Sequence, residues 1–334
     1  FRLRAGDVLL NEGQSLELVG RTAVYRVDPA ECAFQNSLIR LRARDGVDAE
    51  FLEYLMRYQF QSGKFARIAA RTTSIAHLGV SRLASLRVRI PDIVTQRLTA
   101  RLLGSCSAVI TRTEKLLAVR RTWRRGLAQA LAVGHRRFKE SSKDDWRSVR
   151  IGEIAQQRSR RSNGDPSVPV LSSTKHRGLV PSLEYFGRRV YSKDLKAYKL
   201  VRQGEFAFAT NHIEEGSIGL LRDLPVGQVS PMYTVFGVDE NRIEPSYLLH
   251  VLKTERLRRE FSRGTGASVN RRGALRWSAF ANILVPMPSR REQRSIAAVL
   301  DLADRELDTL ANLLREMLKQ RRALMDRLLS GPTS

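Results

Sequence analysis

A constant shift of 197 positions lays one part of this chain over another. Pro91, Gln96, Arg97, Ala100 and Leu103 fall on Pro288, Gln293, Arg294, Ala297 and Leu300. The register holds without a gap through Ile110/Leu307, Leu117/Leu314, Arg124/Arg321, Leu127/Leu324 and Leu131/Leu328 to Gly134/Gly331. Upstream the match continues with small slips. Gly6-Asp7 meets Gly204-Glu205, Phe51-Leu52 meets Tyr247-Leu248, Phe65 meets Phe261, and Leu83, Leu86 and Val88 meet Phe280, Ile283 and Val285. Such a chain has to build one unit twice. Two copies of near domain size are too few and too large for a solenoid, whose units run roughly 20–50 residues in stacks of about three or more. A two-fold repeat implies pseudo-two-fold symmetry, and so two similar surfaces for a partner with two similar sites.

The copies differ at their starts. The second begins near Trp146, whereas Phe1 matches a position near Tyr198. The first copy therefore lacks a counterpart to the opening of the second, which reads as an N-terminal truncation or an absent stretch. With 334 residues there is room for two or three domains. A hydrophobic content of 42% supports real cores rather than disorder. The net charge of +24 points to a polyanionic partner, most often nucleic acid. The plainer alternative is a solvated surface rich in arginine. Cys32 and Cys106 lie far apart in no CxxC spacing, so neither a disulfide framework nor a zinc site is suggested, which fits a reducing cytoplasm. No apolar run approaches the roughly 18 residues of a membrane span, and no signal peptide is visible. A cytoplasmic protein is expected.

Residues 1–90 alternate short strand-like runs (DVLL, SLIRLR) with the helical AEFLEYLMRYQFQSGKFARIA, and end in ASLRVRIP, whose alternation predicts a half-buried strand. Residues 92–133 read as one long helix, capped by Asp92 and closed by Gly134. Its stripe is Leu103, Ile110, Leu117, Leu127 and Leu131. The second copy carries a fuller one: Ile296, Leu300, Ala303, Leu307, Leu310, Leu314, Met317, Leu324 and Leu328 in alternating 3-4 spacing with Arg321 as the break, opened by Ser289 and ended by Gly331-Pro332. Sustained spacing of this kind predicts that the two helices pair as a coiled coil rather than packing each on its own domain. Antiparallel pairing would set the globular units apart on a rigid spacer, and parallel pairing would bring them to one end. Residues 146–290 read as a mixed α+β domain: strands VPVLSS, FAFAT, SIGLL and YTVFGV, the helix PSYLLHVLKTERLRREFSR, a Gly-containing turn, and the strand ANILVPMP. The divisions expected are 1–91, a first domain with its N-terminal part missing; 92–134, a first spacer helix; 135–145, a linker; 146–288, a second domain; and 289–331, a second spacer helix.

Catalytic signatures are absent: no phosphate loop, no dinucleotide fingerprint, no Asn-Pro-Pro-aromatic motif, and five scattered histidines without metal spacing. Pro91-Asp92 has no downstream Glu-x-Lys and reads as a strand end and helix cap. IEEG at 213–216 reads as a charged turn. No catalytic residue and no metal ligand is assigned. The candidate contacts are turns rich in Gly and Ser that carry basic and amide side chains: Lys175, His176 and Arg177; Asn211 and His212; Ser268, Asn270, Arg271 and Arg272. The first copy offers Gln14, and Arg71, Thr72, Thr73, Ser74 and His77 at the place that matches the last of those loops. Asn, Gln and Arg read base edges, while Ser, Thr and Lys mostly hold phosphates.

On these residues the chain resembles the specificity subunits of type I restriction-modification systems. The likeness rests on the whole-chain repeat, the Gly6-Asp7 and Gly204-Glu205 turns, the Pro-x4-Gln joins at Pro91…Gln96 and Pro288…Glu292-Gln293, and the terminal LMDRLLSG. Thr95 replaces the glutamate in the first join. The resemblance implies an α+β fold: two target-recognition domains joined by two long helices in an antiparallel coiled coil. It implies a split double-stranded DNA target, two methyltransferase subunits as partners, and a motor-nuclease subunit as a further one. It implies no cofactor on this chain, with S-adenosylmethionine on the methyltransferases. Two rival readings are a scaffold that binds nucleic acid without sequence preference, or an inactive truncated subunit, and, least favoured, a stand-alone nuclease.

Overall fold

The computed structural model describes residues 2–27, 32–71, 74–139, 145–175, 177–211, 213–264 and 274–330. They form two compact units, one of residues 1–118 with 309–334, the other of residues 119–308. The predicted mixed class holds in both.

The first unit runs β1 (Val8–Asn11), β2 (Gly13–Gln14), β3 (Thr22–Val24), β4 (Leu38–Leu41), α1 (Ala49–Gln61), α2 (Lys64–Ile68), β5 (Ala70–Arg71), β6 (Ala76–His77), α3 (Val80–Ala84) and the start of α4 (Ile93–Ala132). β1 lies between β3 and β4, antiparallel to each. The sheet buries Val8 and Leu10 against Phe51, Leu55 and Phe65, and the core takes in Leu103 of α4 and Met325 and Leu329 of the last helix. The expected helix over 49–69 is broken, because Ser62 closes α1 and Gly63 takes φ +74°, which favours glycine. Asp48 caps α1 through a 2.9 Å bond from Phe51 N–H.

The second unit runs β7 (Arg147–Arg150), α5 (Ile151–Ile154), β8 (Ala155–Arg158), β9 (Leu171–Thr174), β10 (Gly178–Pro181), α6 (Ser182–Phe186), β11 (Lys199–Arg202), β12 (Phe206–Ala209), β13 (Ile218–Leu220), β14 (Val226–Val229), β15 (Tyr233–Val238), α7 (Pro245–Leu252), α8 (Glu255–Gly264), α9 (Trp277–Ala281), β16 (Leu284–Met287) and α10 (Arg290–Leu329), whose second half belongs to the first unit. The central sheet has the order β13-β12-β15-β8. Phe206, Phe208, Phe236, Phe261 and Phe280 are fully buried, with Phe206 stacked on Phe236 at 4.8 Å. Each such ring is worth about 1.5–3 kcal/mol relative to exposure. The helix expected over 245–263 is two helices, closed and reopened at Lys253–Thr254.

The long helices start and stop close to the predicted places. Asp92 Oδ1 accepts from the N–H of Val94 and of Thr95, both at 3.0 Å. Gly134 takes φ +78° after α4. The helices run antiparallel: in the second unit Arg120 pairs with Glu306 and Arg124 with Asp304. In the first unit Thr113 Oγ1 lies 4.0 Å from Met317 Sδ. Leu103, Ile110, Leu117, Leu131 and Leu300 of the expected stripes are buried, whereas Leu127, Leu307, Leu310, Leu314, Met317 and Leu324 are half-buried. Leu328 corrects the expectation: it is 41% exposed, and Met325 and Leu329 are buried instead. A strict seven-residue repeat drifts about 20° per heptad on a straight helix. Four heptads beyond Leu300 the core-facing position has therefore moved on by one residue. Gly331 lies outside the described residues.

One predicted strand does not form. Leu86–Ile90 is irregular, while its counterpart β16 pairs with β7 from Met287↔Arg147 to Leu284↔Arg150. A strand is made by its partner, and Leu86–Ile90 pairs with no described strand.

Candidate nucleic-acid interface

The motifs that mark the repeat turn out to be structural joints. The turn Arg4–Asp7 needs the φ of +91° that Gly6 supplies, and Asp7 Oδ2 accepts from Arg4 N–H at 2.8 Å. The second copy repeats it with Gly204 at +82° and Glu205 accepting from Arg202 N–H at 2.9 Å. Each carboxylate then binds an arginine, Arg42 for Asp7 and Arg160 for Glu205. The hydrogen bond from Arg42 holds the Asp7 carboxyl below the usual carboxylate range.

The glutamines of the Pro-x4-Gln joins are both 1% exposed. Gln96 Oε1 accepts from Asp48 N–H at 2.8 Å, and its amide donates to the carbonyls of Gly46 and Pro91 at 3.0 and 2.8 Å. Gln293 accepts from Glu244 N–H at 2.7 Å and donates to the carbonyls of Arg242 and Pro288 at 3.3 and 3.0 Å. One side chain thus ties the start of each long helix to the turn before the preceding domain helix. Beside it the copies part. Glu292 is fully buried and accepts from Nε and Nη2 of Arg137, at 3.1 and 2.8 Å, and from the Trp146 indole N–H at 2.9 Å. Thr95 stands in its place and only supports the Asp92 cap.

In the first unit β6 lies between β2 and β5, with Gly13 opposite His77, Gln14 opposite Ala76, and Arg71 also opposite Ala76. Gln14, Arg71, Ser74 and His77 therefore share one small sheet and its connecting turn. Gln14, Arg71 and Ser74 are exposed. His77 Nδ1 is 3.1 Å from Glu12 Oε2, which makes part of its ring a local anchor. Thr72 and Thr73 lie outside the described residues.

In the second unit Lys175 and Arg177 are exposed at the tip of the β9–β10 hairpin. Thr174 Oγ1 accepts from Arg177 N–H at 3.0 Å and donates to the Gly178 carbonyl at 3.1 Å, which fixes the turn. Ser173 N–H donates to the Tyr233 hydroxyl at 3.1 Å, and the Lys199 ammonium donates to the Tyr233 carbonyl at 2.5 Å. Burial pushes the Tyr233 phenol up and the Lys199 ammonium down. The turn holding Asn211 joins the same place, since Thr210 Oγ1 donates to the Met232 carbonyl at 3.0 Å. Leu275 N–H donates to the Thr210 carbonyl at 2.9 Å, next to Asn211. The first unit repeats this joint: Leu78 N–H donates to the Glu12 carbonyl at 2.8 Å. Leu78 and Leu275 thus hold equivalent positions of the two copies. His176, His212, Ser268, Asn270, Arg271 and Arg272 lie outside the described residues.

The chain is similar over 99% of its length to the putative type I restriction enzyme MjaX specificity subunit of Methanocaldococcus jannaschii, at 23% identity and across 79% of that protein. The fold matches the S subunit of the type I restriction-modification system from M. genitalium, with a TM-score of 0.66 and 17% identity over 100% of this chain and 85% of that one. The chain has the sequence likeness and the fold of a type I specificity subunit. A second solved structure, described as the structural basis of complex assembly and conformational transition of the type I system, matches with a TM-score of 0.52 and 17% identity, covering 98% of this chain and 82% of that one. No family model matches the chain. No described helix is long and apolar enough to cross a membrane.

Sequence reasoning passed over one surface. Tyr185, Phe186, Arg188, Arg189 and Tyr191 follow the hairpin, and the aromatic-basic run YFGRRVY is a signal that could have found them.

Proposed function

We propose that this chain is the DNA-recognition subunit of a type I restriction-modification complex. It reads a bipartite duplex with its two units and positions partner methyltransferases on it. The observation that carries this reading is the likeness over 99% of the chain to a specificity subunit. A duplicated frame that presents two different sets of loops agrees with it. A scaffold without sequence preference has no use for two different readers. Lys and Arg would neutralise phosphates and give salt-dependent affinity. Asn, Gln and Arg on the loops would read base edges in the major groove. The half-sites would lie about one helical turn apart, so that both present the same groove face.

Catalysis belongs, in this reading, to the partners. Two methyltransferase subunits would dock on the repeats, flip out an adenine and supply S-adenosylmethionine, with a motor-nuclease subunit joining the larger assembly. The chain itself would transfer no methyl group, cut no DNA and hold no cofactor. Cytoplasmic residence follows from that role.

The test is co-purification with a methyltransferase subunit from the same operon, then methylation mapping on random-sequence DNA. A split motif modified only when this chain is present supports the reading. Methyl transfer or cleavage by the isolated chain would refute the division of labour.

A further inference from the structure

Leu183 to Val190 is an unbroken run of exposed residues. Leu183, Tyr185, Phe186 and Val190 stand 54, 44, 45 and 46% exposed, a density of large apolar groups that marks an interaction site rather than idle surface. The run is not slack. Ser182 at its base is fully buried, donates its N–H to the Val170 carbonyl at 2.8 Å, and meets Ser172 Oγ through its hydroxyl at 2.9 Å. At the tip Gly187 adopts φ +63° and donates to the Leu183 carbonyl at 2.9 Å. α6 is therefore a short post, fixed at one end and capped at the other. Tyr185 and Phe186 meet edge to face at 4.9 Å on its outer side.

The surroundings are basic. From Lys175 to Lys199 there are seven Lys and Arg against two acids, Glu184 and Asp194. The Arg177 guanidinium sits 6.0 Å from the Tyr185 ring centroid, and Arg189 sits 4.8 Å from that of Tyr191. An apolar partner protein has no need of that charge, and a polyanion that was only a chain of phosphates has no need of the rings. Duplex DNA supplies both chemistries: phosphates for the arginines and base faces for the aromatic tip.

Resting on the DNA-recognition reading, we propose that Tyr185 and Phe186 form a wedge that enters a groove and opens a base step beside the half-site of the second unit. Arg177, Arg188 and Arg189 hold the flanking phosphates. Aromatic and aliphatic side chains wedged into a base step unstack it and bend the duplex. The wedge makes the second unit a distorting reader as well as a base reader. Its sequence preference extends to the ease with which the wedged step unstacks.

The experiment uses the chain co-purified with its methyltransferase partner and the duplex found by methylation mapping. 2-Aminopurine is placed at each position of the half-site and its flanks in turn. The wild-type complex should raise fluorescence at one step besides the adenines that the methyltransferases flip out. Tyr185→Ala/Phe186→Ala should abolish that rise and weaken binding roughly ten- to hundredfold, and Phe186→Trp should keep it. Arg188→Ala and Arg189→Ala should each lower the salt slope by about one. Because these side chains are exposed, unchanged circular dichroism and melting are expected. A wild-type complex that binds its target with no fluorescent step other than the flipped adenines, or an alanine pair that binds as tightly, overturns the wedge and leaves the DNA reading standing. An alanine pair that loses the methyltransferase instead assigns the patch to protein contact and also overturns the wedge. Failure of the wild type to prefer any split sequence overturns the DNA reading itself.

Discussion

Tyr54 and His250 occupy the same register of the two repeats, and the groups they face differ completely. The Tyr54 hydroxyl lies 3.5 Å from Ser107 Oγ, and Gly104 leaves room beside it. The matching positions of α10 carry Asp304 and Asp301. There His250 Nε2 is 2.9 Å from Asp301, His250 Nδ1 is 2.9 Å from Arg124, and Arg124 grips Asp304 with two nitrogens at 2.6 Å each. Arg222 reaches Asp301 from the other side at 3.1 Å. Burial lowers the nearby Lys253 ammonium to about 8. Burial opposes the charge on Asp301, yet the His250 hydrogen bond and Arg222 hold its carboxyl at about 2. The joints built by Gln96 and Gln293 make the same three kinds of bond in both units. The contrast is physical. The glutamines satisfy backbone groups, which every copy of the fold has to satisfy. The seam groups mainly satisfy one another, so they can be exchanged as a set.

The sharpest way to break this comparison is at the joints. Glu292→Ala should cost about 3–5 kcal/mol in a denaturant titration, because it removes the fully buried carboxylate that both Arg137 and the Trp146 N–H bind. Thr95→Ala should cost about 1 kcal/mol or less, the value of help to a cap. Equal costs would mean that the two starts are built alike. Next in size is the seam. Arg124→Met should cost about 1–3 kcal/mol, discounted because Asp304 is 43% exposed in its side chain. Ser107→Ala should cost about 0.5 kcal/mol or less, since 3.5 Å is the outer limit of a hydrogen bond.

The seam also predicts a difference in acid. Burial pulls the His250 imidazole below its ordinary value of 6.5. Arg124 donating to Nδ1 requires the neutral ring with its proton on Nε2. A base whose folded value is depressed binds more protons when unfolded. Its contribution is therefore fully present above about 6.5 and is lost as pH falls from there through the lowered folded value. Asp301 adds a second loss lower down, from about 3.8 towards 2. Hydrogen exchange at pH 7.5 and 5.5 should show the second unit loosening while the first, with Tyr54 in the slot, holds. His250→Gln should flatten that difference, and an unchanged profile would remove His250 as its cause. The smallest effects on stability are at the loops. Lys175→Ala and Arg177→Ala should leave melting unchanged and each reduce the salt slope of DNA binding by about one.

Much of this frame was legible from spacing. The repeat, the limits of the long helices, Asp92 and the two glutamines all stand in the sequence, because helix periodicity and turn chemistry are local. Gln14, Arg71 and His77 are likewise drawn together on one sheet, and Lys175 and Asn211 on turns that converge at Met232–Tyr233. What spacing missed was set by partners distant in the chain. ASLRVRIP has the pattern of a strand and remains irregular without a neighbour to pair with. Leu328 has the heptad phase of a core residue and faces solvent because the helix keeps its own pitch. The Tyr185–Phe186 post carries a signal in the run YFGRRVY, but its exposure is set by what fails to cover it.

By itself, then, the sequence determined that one unit is made twice, that each ends in a long amphipathic helix, and that the whole is strongly basic, since all three follow from residue type and interval. Only the tertiary structure decided that a glutamine would carry each joint, that a charge network would close one seam and a phenol the other, and which aromatic rings would be left in water. Those outcomes depend on which groups meet across many intervening residues, and a buried polar group is stable only where its partners arrive together.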